Sequence, residues 1–162
     1  MKPSILTLDM EGVRTPEIWI AVAERTGIAE LRRTPRDEPD YDKLMQFRLA
    51  ILDRHAITLS GIQEIIGGLA LLPGALEFFN TLRTLAPVII LSDTFEQFAR
   101  PLLRQLGWPA LFCHRLTVEN DRITGYRLRQ ADQKRHSVQA LQSLNYQVIA
   151  AGDSFNDTTM LT

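Results

Sequence analysis

Asp9 and Glu11, one residue apart, follow the mostly apolar run Ser4-Ile5-Leu6-Thr7-Leu8 and precede Gly12-Val13. A run of this kind, stopped by a glycine, reads as a buried strand. Residues two apart in a strand share a face. Both carboxylates are therefore expected to point the same way from the strand's carboxyl end. Neighbouring carboxylates repel, and one takes up a proton unless a cation lies between them. The pair suggests a metal or a proton-transfer site. The competing reading is a strand that simply exits into a polar loop, since short acidic motifs recur by chance.

Two more apolar runs stop at polar clusters. Val88-Ile89-Ile90-Leu91 ends in Ser92-Asp93-Thr94, and Val148-Ile149-Ala150-Ala151 ends in Gly152-Asp153-Ser154-Phe155-Asn156-Asp157. A basic segment from Arg127 to His136, containing Lys134, precedes the third cluster. In a parallel sheet such ends gather at one edge. Carboxylates for a hard cation, a hydroxyl and a lysine then form a constellation suited to phosphoryl transfer. One cluster alone is weak evidence; three in this order are strong.

The elements between the clusters set their arrangement. Thr15-Pro16-Glu17 reads as a helix start, with a capping hydroxyl, proline at the first position and an acid near the positive helix end. That helix runs to Gly27, a charged loop covers 32–40, and helical patterns follow over 41–56 and 58–69. From Pro73 the order alternates: helix to Ala86, strand 88–91, helix 95–106 with Pro101 as a kink, and a short strand 110–113. A hairpin is expected over 116–128, then a helix capped by Asp132, then strand 148–151. Alternation of this kind makes an α/β fold, a parallel sheet with helices on both faces. The helical block at 15–72 interrupts it and reads as a cap inserted over the sheet's carboxyl edge, where open α/β folds bind ligands. The expected division is a core of residues 1–14 and 73–162, and a cap of residues 15–72.

Composition narrows the class. The chain has 162 residues, enough for one domain carrying an insertion, and a net charge of −1, which recruits neither nucleic acid nor anionic membrane. No run of 18 or more apolar residues and no basic-then-apolar leader is present. The single Cys113 makes no internal disulfide, favours a cytoplasmic setting, and reads as a small core residue. His55, His114 and His136 lack metal-ligand spacing and read as surface or loop residues, and Trp19 and Trp108 as packing.

On these residues the chain resembles the haloacid dehalogenase superfamily, most of all its phosphoserine phosphatase group. Asp9-Met10-Glu11-Gly12-Val13 is similar to the first motif, Ser92 to the second, Lys134 to the third, and Gly152-Asp153 through Asp157 to the fourth. Glu11, Pro16-Glu17-Ile18-Trp19-Ile20, Leu91-Ser92-Asp93-Thr94 and Ala151 through Leu161 look like bifunctional phosphoserine phosphatase/homoserine phosphotransferase proteins. The likeness covers essentially the whole chain and implies a Rossmann-like core with an inserted helical cap.

It also implies roles. Asp9 attacks phosphorus; Mg²⁺ is held by Asp9, the backbone carbonyl of Glu11 and Asp153; Ser92 and Lys134 bind phosphoryl oxygens. The Glu11 carboxyl exchanges the proton of the leaving and entering oxygens, while Asn156 and Asp157 orient substrate and metal waters. Glu17 meets a substrate amino group and Arg48 a substrate carboxylate. Asp93 departs from the small residue that many superfamily members place after the serine, and is expected to contact substrate or simply to hold the loop. Phosphoserine is the implied substrate, homoserine an alternative acceptor, and serine and threonine biosynthesis the implied setting. Each of the less specific positions has a local explanation too. Arg127, Arg129 and Arg135 compete with Lys134, the helix dipole accounts for Glu17, and a charged helix accounts for Arg48.

Relatives continue past Thr162 for roughly one more βα unit of ~30 residues. The last strand is then expected to expose an edge, and a homodimer is one expected state. Three rivals remain open: a phospho-accepting receiver domain, against which Asp9 on the first strand argues; a phosphatase for another small monoester; and an inactive binding module.

Overall fold

In the computed structural model, which describes residues 1–10 and 17–151, the alternating apolar runs become one sheet. Its strands are β1 (Ser4–Leu8), β2 (Val88–Phe95), β3 (Ala110–Glu119), β4 (Arg122–Arg127) and β5 (Gln147–Ala151), in the order β4-β3-β2-β1-β5. β3, β2, β1 and β5 run parallel, and β4 returns antiparallel to β3. β1 lies between β2 and β5, with Leu8 level with Ile90 on one side and Ala151 on the other. The chain leaves β1 towards β2 and comes back on its far side, so the end of β1 adjoins the crevice where such sheets bind ligands.

Strand alternation explains the two faces. Leu8 and Ile90 point into the larger apolar cluster, whereas Leu91 points into a smaller one with Val138, against which Ile89, Phe112 and Ala150 pack. Val138 belongs to α6 (Gln133–Ser143). The larger cluster takes Phe79 from α4 (Ala75–Leu85) and Phe98, Ala99 and Leu102 from α5 (Glu96–Gln105). Helices cover both faces, as the sequence pattern predicts. Met45, Leu49 and Ile62, from the inserted helices, belong to that same cluster.

Those helices are α1 (Ile18–Thr26), α2 (Tyr41–Arg54) and α3 (Leu59–Gly67), with a short 3-10 turn at Ala29–Arg32. Gly27 ends α1 at φ 74°, a left-handed conformation that costs glycine least, and its N–H closes on Ala23 O. Asp40 caps α2 by accepting from Lys43 N, and Thr58 caps α3 by accepting from Gly61 N. α1 begins after Glu17, which occupies the N-cap position without a side-chain cap bond. The expected start at Thr15-Pro16 lies outside the described residues.

Pro101 sits inside α5, which continues through it. Proline donates no N–H, so the carbonyl four residues back loses its helical partner. That carbonyl belongs to Gln97, and Gln63 Nε2 of α3 donates to it at 3.0 Å. The Gln97 side chain in turn serves both backbone groups of Leu116 on β3, at 2.9 and 3.0 Å. The β3–β4 hairpin turns through Asn120 and Asp121, both at positive φ, as a two-residue hairpin loop requires. It also clasps α2 and α3. Tyr126 bonds Asp42, Arg122 pairs with Asp53 at 3.1 Å, and Asp121 accepts from Leu59 N at 2.8 Å and Ser60 N at 2.9 Å.

Four local readings are corrected. Asp132 occupies the N-cap of α6 at φ 51° but makes no capping bond; its carboxylate pairs with Arg135 instead. His114 is buried on β3, because it shares the inward parity of Leu116 and Val118. Trp108 is about half exposed beneath the Arg100 guanidinium rather than packed inside. Cys113 is only partly buried, and burial pushes its thiol up to about 11.

Candidate active site

Asp9 follows the last residue of β1 and is 5% exposed; Lys134, on the first turn of α6, is 4% exposed. They are 125 positions apart in the chain, yet Lys134 Nζ donates to Asp9 Oδ1 at 3.2 Å. Taking two charges out of water is costly unless they meet one another. This contact joins the first of the sequence's chemical clusters to the basic segment that precedes the third. Of the basic residues competing with Lys134, Arg135 pairs with Asp132, and Arg129 donates to Gln133 and Ser137.

Ser92 and Asp93 lie where the β2–β3 register shifts, between Leu91 and Phe95. Such irregularities re-aim side chains beside active sites. Ser92 is buried, and its Oγ accepts from Thr94 N at 3.2 Å. Asp93 is less buried. Its Oδ2 lies 4.0 Å from Lys134 Nζ, and its Oδ1 lies 3.3 Å from both His114 Nε2 and Gln133 Nε2. Burial alone raises the Asp93 carboxyl, but the His114 bond, the Lys134 charge and the Gln133 bond outweigh it and hold it below the ordinary carboxylate value.

The structure therefore brings Asp9, Ser92, Asp93 and Lys134 to one end of the sheet. Arg48 lies on α2 and is 6% exposed. Its guanidinium lies 4.6 Å from the centre of the Trp19 ring and donates to Arg33 O at 2.9 Å. Glu17, two residues before Trp19, is exposed. Glu11, Asp153, Asn156 and Asp157 lie outside the described residues. Among the described residues no cluster of three His, Cys, Asp or Glu side chains is placed to hold a metal. Asp9 nonetheless supplies a buried carboxylate at a strand end, the hard oxygen donor that suits Mg²⁺.

Two buried polar residues at this end, His114 and Gln133, are not among the site residues that the sequence points to. The strand alternation through Leu116 held the signal for His114. Nothing local marked Gln133, whose neighbours read as a solvated basic segment.

A buried carboxylate bonded to a lysine, beside a serine at the next strand's end, is an arrangement for attacking and neutralising a phosphoryl group. A family model for haloacid dehalogenase-like hydrolases matches residues 9–162, and the chain belongs to that family of enzymes. It is 59% identical over 159 residues to phosphoserine phosphatase ThrH of Pseudomonas aeruginosa, across 98% of this chain and 78% of that protein. It is 60% identical over 158 residues to a phosphoserine phosphatase of Pseudomonas syringae pv. tomato, across 97% of this chain and 67% of the relative. A solved phospho-aspartyl intermediate analogue of phosphoserine phosphatase shares the fold, with a TM-score of 0.79 at 17% identity over 99% of this chain and 82% of that one.

Proposed function

We propose that this chain is a phosphoserine phosphatase acting through an aspartyl phosphate. The observation that carries the reading is the buried 3.2 Å contact between Lys134 Nζ and Asp9 Oδ1 at the carboxyl end of β1. The naming of relatives near 60% identity supports the substrate.

In this reading an Asp9 carboxylate oxygen attacks phosphorus, and the bond from phosphorus to the serine oxygen breaks. Glu11 delivers its proton to that oxygen, and serine leaves. Water then attacks the aspartyl phosphate, returns a proton to Glu11, and releases phosphate with Asp9 restored. Lys134 and Ser92 hold the phosphoryl oxygens throughout, the lysine as a point charge. Asp9, the Glu11 carbonyl and Asp153 are the proposed Mg²⁺ ligands. Bound there, the cation would offset phosphoryl charge that the lysine alone leaves unbalanced. Asn156 and Asp157 orient substrate and metal waters.

Residues 15–72 act as the cap that selects substrate, with Arg48 for the carboxylate and Glu17 for the amino group. The residues that resemble bifunctional phosphoserine phosphatase/homoserine phosphotransferase proteins support homoserine as a second acceptor in place of water.

The test is phosphate release from phosphoserine by the purified chain with and without Mg²⁺, alongside Asp9→Asn. Release that needs both Mg²⁺ and Asp9 supports the reading; a folded wild type that releases none removes it. Adding homoserine with labelled phosphoserine separates the two acceptors. Release of phosphate without labelled homoserine phosphate would leave hydrolysis and discard transfer.

A further inference from the structure

Gln133 and His114 take no part in the chemistry above, yet they are 1% and 5% exposed and converge on Ser92 and Asp93. Gln133 Nε2 donates to the Ser92 carbonyl at 2.7 Å and reaches Asp93 Oδ1 at 3.3 Å; its Oε1 accepts from Arg129 Nη2 at 2.6 Å. His114 Nδ1 accepts the Arg129 backbone N–H at 2.9 Å. The ring proton therefore sits on Nε2, 3.3 Å from Asp93 Oδ1. Both side chains have their polar atoms engaged, as burial demands.

The backbone explains why such help is needed. The β2–β3 pairing is irregular between Leu91 and Phe95, so the ladder does not hold the Ser92–Asp93 step in ordinary register. Gln133 takes the Ser92 carbonyl instead, and Lys134 is the next residue on α6. One amide thus ties the segment bearing Ser92 to the helix turn bearing Lys134. His114 adds a second hold on Asp93 Oδ1, which leaves Oδ2 turned towards Lys134 at 4.0 Å.

We propose that His114 and Gln133 are positioning residues for the phosphoryl group. They lock Ser92 and Asp93 together and, through Asp93 and the start of α6, hold Lys134 over Asp9. This rests on the phosphatase reading. It predicts that their loss acts on phosphoryl binding and transfer for any monoester, not on recognition of the substrate's amino group. A misplacement of about 1 Å at such a site costs on the order of 10²-fold in rate.

The substitutions separate the two ring nitrogens of His114. His114→Gln keeps a donor at the Nε2 position; His114→Asn keeps only an acceptor for Arg129 N. His114→Asn and Gln133→Leu should each lower kcat/KM by about 10- to 100-fold. The loss should be equal for phosphoserine and its amino-free analogue, 3-phosphooxypropanoate, and His114→Gln should recover most of it. Wild-type activity in His114→Asn, or a loss confined to phosphoserine, overturns the inference.

Two measurements need no turnover. Nitrogen-15 NMR should show His114 protonated at Nε2, and a proton on Nδ1 overturns the assignment. An NMR titration with inorganic phosphate should give weaker binding in His114→Asn and Gln133→Leu than in wild type; equal binding, or none in wild type, also overturns it. Failure of the phosphatase reading shows separately, as a wild type that binds phosphate but hydrolyses no phosphoserine.

Discussion

The carboxyl end of the sheet and the inserted helices both bury charge, but they hold it by different means. At the sheet end, Asp9 and Lys134 stand one residue past a strand and two residues into a helix, so the backbone aims them at each other. In the insertion, Arg48 is nearly as inaccessible, but Trp19 on α1 and the Arg33 carbonyl hold its guanidinium. Its place depends on how α1, α2 and the residue after the 3-10 turn pack together. Groups that react gain most from fixed backbone geometry, since small misplacements cost large factors in rate. Arg48, the residue proposed to select substrate, is carried instead by elements that pack side chain on side chain.

The strongest way to break this division is Asp9→Asn. It should reduce phosphate release from phosphoserine by at least about 10⁴-fold, since removing a nucleophile disables the steps that depend on it. Appreciable turnover in that variant would move the chemistry away from β1. Lys134→Met comes next, with a loss of about 10²- to 10³-fold in kcat. It should also lower stability in urea by about 3–5 kcal/mol, because a buried carboxylate loses its charged partner. A loss of activity without the stability change would place the lysine outside the buried pair.

Arg48→Met sharpens the comparison from the other side. It should raise KM for phosphoserine by about 10- to 100-fold, the worth of a charge-assisted bond, with little change in kcat. A fall in kcat at constant KM would make the insertion part of the reaction rather than of selection. Smaller still is Gln63→Leu, which deprives the Gln97 carbonyl of the donor that replaces Pro101's missing N–H. Equilibrium unfolding should register about 1–3 kcal/mol, with kcat on the folded enzyme unchanged.

The smallest effect concerns the clasp between hairpin and insertion. Burial, the Asp42 bond and the nearby acidic charges push the Tyr126 phenol up to about 12. The folded state therefore keeps a proton that the unfolded chain releases near pH 10. Stability is fully present below that value and declines as pH rises from about 10 towards 12. Tyr126→Phe should flatten this limb of the unfolding curve; an unchanged slope would mean the clasp does not report on folding.

Much of the architecture was legible in local pattern. The apolar runs, the polar end of β2, the helical stretches expected over 41–56 and 58–69, and the hairpin centred on Glu119-Asn120-Asp121 appear near the expected residues. These features depend on periodicity and turn chemistry, which neighbouring residues carry between them. The capping role expected of Asp132 failed because Arg135, three residues on, took the carboxylate. His114 was misread because a lone histidine resembles a surface residue until strand parity assigns its face.

From the sequence alone came the order of strands and helices and the residue types at each strand end, since burial face and chain reversal are local properties. Only the tertiary structure decided that Lys134, among several basic neighbours, meets Asp9, that Gln133 holds the Ser92 carbonyl, and that Arg48 turns inward onto Trp19. Each of these depends on strand register and helix placement between distant segments. No window of neighbouring residues contains both halves of such a contact.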